Sequence, residues 1–60
     1  MTAKDVIKLI EANGWHLDSV RGSHHQFTHS ERKGKITVAL HKGDIPPGTL
    51  NAILKQAGLK

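Results

Sequence analysis

Apolar residues recur first at spacings of three and four. Val6, Leu9 and Ile10, followed by the polar Asn13, form one stripe of a helix. Thr2 with Asp5 three residues on is a capping-box variant that opens it, and Gly14 closes it, so a first helix is predicted over 3–13. The same spacing returns near the other end in Leu50, Ile53, Leu54 and Ala57. Pro46-Pro47-Gly48 breaks the chain before it and Thr49 is a plausible N-cap, which predicts a second helix over 49–57. Gly58 sits at its C-terminal cap, and Leu59 is placed to fold back onto the helix.

Between the helices the period is two. Trp15 and Leu17 alternate with His16 and Asp18, and Ile36, Val38 and Leu40 alternate with Lys35, Thr37 and Ala39. The stretch from His24 to His29 is a strand anchored on Phe27, and Glu31-Arg32-Lys33-Gly34 makes the hairpin to the third strand. The order is helix, strand, strand, strand, helix. Strands joined by short loops pair with their neighbours, so the expected fold is α+β: an antiparallel three-stranded meander with both helices on its apolar face. No repeat, low-complexity tract or linker divides residues 1–60, which read as a single domain.

Sixty residues bury only about 60% of the surface their unfolded chain exposes, so the core must be thin. Any chemistry therefore belongs on an exposed face or in a shallow groove. There is no cysteine, which excludes disulfides and thiolate metal sites and fits a cytoplasmic protein. No stretch reads as a signal peptide or a membrane span, because Lys4, Asp5, Lys8 and Glu11 interrupt the longest apolar run. The net charge is +4, and the cations cluster. Arg21, Arg32, Lys33, Lys35 and Lys42 face a single acid, Glu31, between positions 21 and 42, where His24, His25, His29 and His41 also lie. Such a region favours a polyanionic partner.

Alternation decides where the histidines point. With Phe27 toward the core, His24, Gln26 and Thr28 project from the opposite face of the sheet. Lys35, Thr37 and Ala39 project the same way from the third strand. His25 and His29 share the parity of Phe27. Four residues apart on a strand they are about 13 Å from each other, too far to share one ion, so no metal site and no cofactor is expected. His24 follows the tight turn Arg21-Gly22-Ser23, whose glycine lets a backbone approach closely. An imidazole takes up or releases a proton near neutrality, which makes His24 the candidate for acid–base chemistry.

Gly22-Ser23-His24-His25-x-Phe27 resembles the Gly-Ser-His signature of HicA-type toxins. Ile36-Thr37-Val38, His41-Lys42-Gly43, Gly48-Thr49-Leu50 and the run from Ile53 to Gly58 follow the same family's pattern. The resemblance covers nearly the whole chain. The family often carries proline near Ala39 and in place of Ser30, two departures at strand ends. The resemblance implies a double-stranded-RNA-binding-domain-like fold. It also implies an mRNA-cleaving toxin with His24 as its catalytic residue, neutralised by a HicB-type antitoxin. On that reading Arg21, Lys33 and Lys35 hold phosphates, and the turn at Gly22 and Ser23 supports developing charge. The rival function is a non-catalytic module that reads duplex RNA by shape. Direct DNA binding is not expected, because the second helix offers few cations besides Lys55 and Lys60.

Overall fold

The computed structural model describes residues 1–60 and has the order α1 (Ala3–Ala12), β1 (Trp15–Arg21), β2 (His24–His29), β3 (Ile36–Ala39) and α2 (Pro47–Gln56). It is the expected α+β fold: β1, β2 and β3 lie side by side in that order, each antiparallel to the next.

Local chemistry accounts for the helix ends. The Thr2 hydroxyl accepts from the Asp5 amide at 3.2 Å while the Asp5 carboxylate accepts from the Thr2 amide at 3.1 Å, the reciprocal capping box. The Asp5 carboxyl is held below its ordinary value of 3.8, first by the Thr2 backbone hydrogen bond and then by that to the Thr2 side chain. α1 stops one residue before the expected end, with Asn13 as its C-cap and its side-chain amide donating to the Leu9 carbonyl at 2.8 Å. Gly14 then turns at φ +93°.

α2 begins two residues earlier than expected, and Thr49 is not its cap. Pro46 takes the cap position with no side-chain bond, and its carbonyl accepts from the Leu50 amide at 2.9 Å. Pro47 suits the first helical position, since its fixed φ is already helical and it has no amide to leave unpaired. At the far end the Leu59 amide donates to the Leu54 carbonyl at 2.9 Å and Gly58 to Lys55 at 3.1 Å, with Gly58 at φ +79°. This pair is a Schellman closure. It turns the half-buried Leu59 back onto the core.

Nine apolar residues are buried: Ala3, Val6 and Ile10 from α1, Ile53 and Ala57 from α2, and Trp15, Phe27, Ile36 and Val38 from the sheet. Trp15 also ties the layers together, its indole N–H donating to the Ala57 carbonyl at 3.4 Å. Two apolar residues of the strand pattern escape the core. Leu17, on the outer strand β1, is 51% exposed, and Leu40 is 37% exposed. β3 ends at Ala39, where the His41 amide bonds back to the Ala39 carbonyl at 3.1 Å in a three-residue turn, and Leu40 leaves the alternation there.

Candidate active site

The turn before His24 is built from two residues. Gly22 has φ +57°, no other residue of the turn has positive φ, and Arg21 pairs directly with His24 across it. A positive φ at the first central position alone is the pattern of a type II′ hairpin turn. A Cβ at Gly22 would meet nothing within 4 Å, so the glycine answers to backbone twist and not to crowding.

Residues paired across antiparallel strands share a face. Arg21, His24 and Ala39 therefore form one row on the side away from the helices, and Ser19, Gln26 and Thr37 form the next. Thr28 pairs with His16 farther along. His24, Gln26 and Thr28 thus stand opposite Phe27, and His24 is exposed. β1 reaches this arrangement through an irregularity between Leu17 and Ser19 that leaves Asp18 without a partner. Strict alternation from Trp15 would turn Arg21 toward the helices. The extra residue restores the parity, so that Val20 takes the helix side of the sheet, where it stays 49% exposed at the edge, and Arg21 stands beside His24.

The other two histidines of β2 are held in the fold. His25 is half-buried in the row of Val20 and Val38, its Nδ1 3.2 Å from the Ser23 carbonyl. His29 packs edge-on against Trp15 with ring centroids 5.2 Å apart. The Glu31 amide donates to its Nδ1 at 3.0 Å, and its Nε2 lies 3.0 Å from the Asn13 carbonyl. An amide can only donate, so Nδ1 accepts and Nε2 carries the proton. His29 joins the end of α1 to the start of the β2–β3 loop.

The cations divide between two ends of the open face. Arg21 stands beside His24 and makes no ion pair. Lys35 is four residues from Ala39 and so about 13 Å from the row of His24 at 3.3 Å per residue. Its ammonium lies 3.2 Å from the Asp18 carboxylate, both side chains remaining largely exposed. Lys33 lies exposed in the loop at that same end. Next to Lys33, the Arg32 guanidinium packs over Gly58. His24 and Arg21 therefore meet directly, whereas Lys33 and Lys35 are placed to hold a chain some distance away. No three His, Cys, Asp or Glu side chains converge in a way that would hold a metal ion.

A cleft of about 340 Å³ opens beside His24, between β3, the segment after it and the start of α2. Ala3, Val38 and Ile53 supply apolar lining, and His24, His41 and Asp44 supply titratable groups. His41 falls in the basic region of the sequence, but nothing in the alternation tells where the chain runs after β3.

Residues 3–59 match the family described as the HicA toxin of bacterial toxin–antitoxin systems. The chain belongs to the HicA toxin family. The match takes in both helices and all three strands, together with the Gly22-Ser23-His24 turn and the His41 segment. No curated protein sequence matches the chain.

Proposed function

We propose that this HicA toxin is an endoribonuclease that cleaves mRNA with His24 as its catalytic residue, and that a HicB-type antitoxin neutralises it. The observation that carries the reading is the placement of His24: exposed, on the open face, paired with the free cation Arg21 across a two-residue turn. Membership of a family of bacterial toxin–antitoxin toxins supports a toxic activity held in check by a partner.

An RNA strand laid along the open face meets Arg21 at one end and Lys33 and Lys35 at the other, with the side chains of Ser19, Gln26 and Thr37 between them. These cations hold phosphates and displace counterions, which makes binding salt-dependent. The nucleophile is the substrate's own 2′-hydroxyl. His24 carries a proton to or from the reacting oxygens as the hydroxyl attacks the adjacent phosphate, and the turn at Gly22 and Ser23 supports charge developing there. This route needs no metal ion or cofactor and leaves a cyclic phosphate. Trp15 and Phe27 are both buried and there is no tyrosine, so no exposed phenyl, phenol or indole ring is left to stack on bases, and low sequence selectivity follows. The antitoxin silences the protein by covering His24, and the work is done in the cytoplasm, where mRNA is found. No helix is long and apolar enough to cross a membrane.

The test is cleavage of an mRNA in chelator, together with growth after induction, for the wild type and His24→Ala. The wild type should generate cyclic-phosphate ends and arrest growth, with rescue by a co-expressed HicB-type protein. The variant should fold and do neither. Cleavage that persists in the variant would refute the role of His24. RNA binding without cleavage in either protein would instead identify a duplex-binding module.

A further inference from the structure

We propose that His41 is the second proton carrier of the site, donating to the departing 5′-oxygen while His24 accepts the proton of the attacking 2′-hydroxyl. The inference rests on the ribonuclease reading and adds a residue to it.

Transfer of a phosphate from the 5′-oxygen to the 2′-oxygen needs a proton removed on one side of the phosphorus and supplied on the other. The attacking and leaving oxygens lie roughly in line, so one imidazole cannot reach both at once. A second group must face the first across the phosphate. The fold provides one.

The Leu40 amide donates to the Ser23 carbonyl at 2.7 Å, which carries the pairing of β2 with β3 one step past Ala39. His24 and His41 each follow one of these two bonded residues. Ala39 pairs directly with His24, and His41 lies two residues beyond Ala39 past a turn, so the two rings reach one cleft from neighbouring positions. The bond from the His41 amide to the Ala39 carbonyl at 3.1 Å fixes the turn that delivers it. Both rings border the same cleft, both are exposed, and neither ring makes a hydrogen bond within the protein. His25 and His29, by contrast, are occupied with backbone groups.

Charges of both signs surround His41. Asp44 shares the cleft, pairing at 3.7 Å with the Met1 amino group, while Lys4 and Lys42 border the concavity on the other side of the ring. The Asp44 carboxylate repels phosphate, which confines the phosphate to the Arg21–His24 end. The nucleoside that leaves then occupies the cleft. In the step itself the O2′–P bond forms and the P–O5′ bond breaks. The 2′-hydroxyl proton passes to His24, and a His41 proton passes to the 5′-oxygen. The products are a 2′,3′-cyclic phosphate and a 5′-hydroxyl, and exchange with water resets both rings.

The experiment compares the full-length wild type, His41→Ala and His24→Ala on one oligoribonucleotide, at a bond the wild type cleaves. The 5′-bridging atom at that bond is oxygen in one substrate and sulfur in the other. A thiolate leaves without protonation. His41→Ala should lose about 100-fold or more in kcat/KM at the oxygen bond, yet stay within about threefold of the wild type at the sulfur bond. It should also lose the alkaline limb of the wild-type pH–rate profile, and added imidazole should restore cleavage of the oxygen substrate. His24→Ala should remain inactive on both. Wild-type rates for His41→Ala at oxygen, or an equal loss at both atoms, would overturn the role of His41 while leaving His24 in place. Full activity of His24→Ala would instead remove His24 from the chemistry, and a wild type that cleaves neither substrate would bring down the ribonuclease reading on which the inference rests.

Discussion

Gly14 is the position where one added methyl group should do the most damage for its size. Its φ of +93° is outside the range L side chains ordinarily adopt, and a Cβ there would stand 2.6 Å from His29 Nε2. Gly14→Ala therefore acts twice. The backbone term is about 1–2 kcal/mol. Displacing the ring loses the contact of Nε2 with the Asn13 carbonyl, about 1 kcal/mol, and weakens the edge-on packing with Trp15, about 0.5 kcal/mol. The stiffer unfolded chain returns about 0.5 kcal/mol. The net cost is about 2–3 kcal/mol, a large share of the roughly 3–9 kcal/mol expected for a domain of this size. Thermal unfolding followed by circular dichroism should show Tm falling by about 10–20 °C. A double-mutant cycle with His29→Ala separates the two parts: with the ring gone, Gly14→Ala should cost only about 0.5–1.5 kcal/mol, the backbone share. An undiminished cost in the His29→Ala background would show that the ring contact contributes nothing and that this account of Gly14 is wrong.

Four further outcomes are expected. Gly22→Ala meets no neighbour, so its cost should be the backbone term alone, about 1 kcal/mol by denaturant titration, with Gly22→Asn milder because asparagine tolerates positive φ. Because the Asp5 carboxyl is depressed in the folded state, its capping box stabilises α1 above the ordinary carboxylate value of 3.8 and loses that contribution as pH falls through the depressed value. Amide exchange in the first turn of α1 should accelerate on that acid limb, and Asp5→Asn should abolish the pH dependence. Lys35→Met should change stability by less than about 0.5 kcal/mol, since its ion pair with Asp18 is largely exposed. Arg21→Gln should reduce the slope of log affinity against log salt for single-stranded RNA by about 0.7, and an unchanged slope would remove Arg21 from the phosphate contacts.

The readable parts of the sequence were those where one local rule acts alone. The capping box of Thr2 and Asp5, the closure at Gly58 with Leu59 folded back, and the outward parity of His24 follow from spacing. The unreadable parts depend on competition between neighbours. Two rules competed at the start of α2, where a threonine suited to a cap lost to a proline suited to the first turn. Val20 and Arg21 take their faces from the extra residue at Asp18, and a pattern of two cannot announce its own interruption. Leu40 carries the apolar signature of a strand residue, yet the turn closed by the His41 amide on the Ala39 carbonyl takes it out of the alternation. His29 gave no sign in the sequence that its ring would bridge Asn13 and Glu31. The same limit hid the position of His41.

A sheet of three strands has two unpaired flanks, each able to recruit another copy of the chain. Asp18 interrupts the first flank by bulging out of register, and its carboxylate draws the Lys35 ammonium to that surface. The second flank, β3, is only four residues long and is followed by the turn at His41. Both devices discourage edge-to-edge growth in a protein whose backbone would otherwise template its own fibres. Deleting Asp18 would leave Arg21 on its present face but give β1 an unbroken border, and solutions of that variant should begin to polymerise.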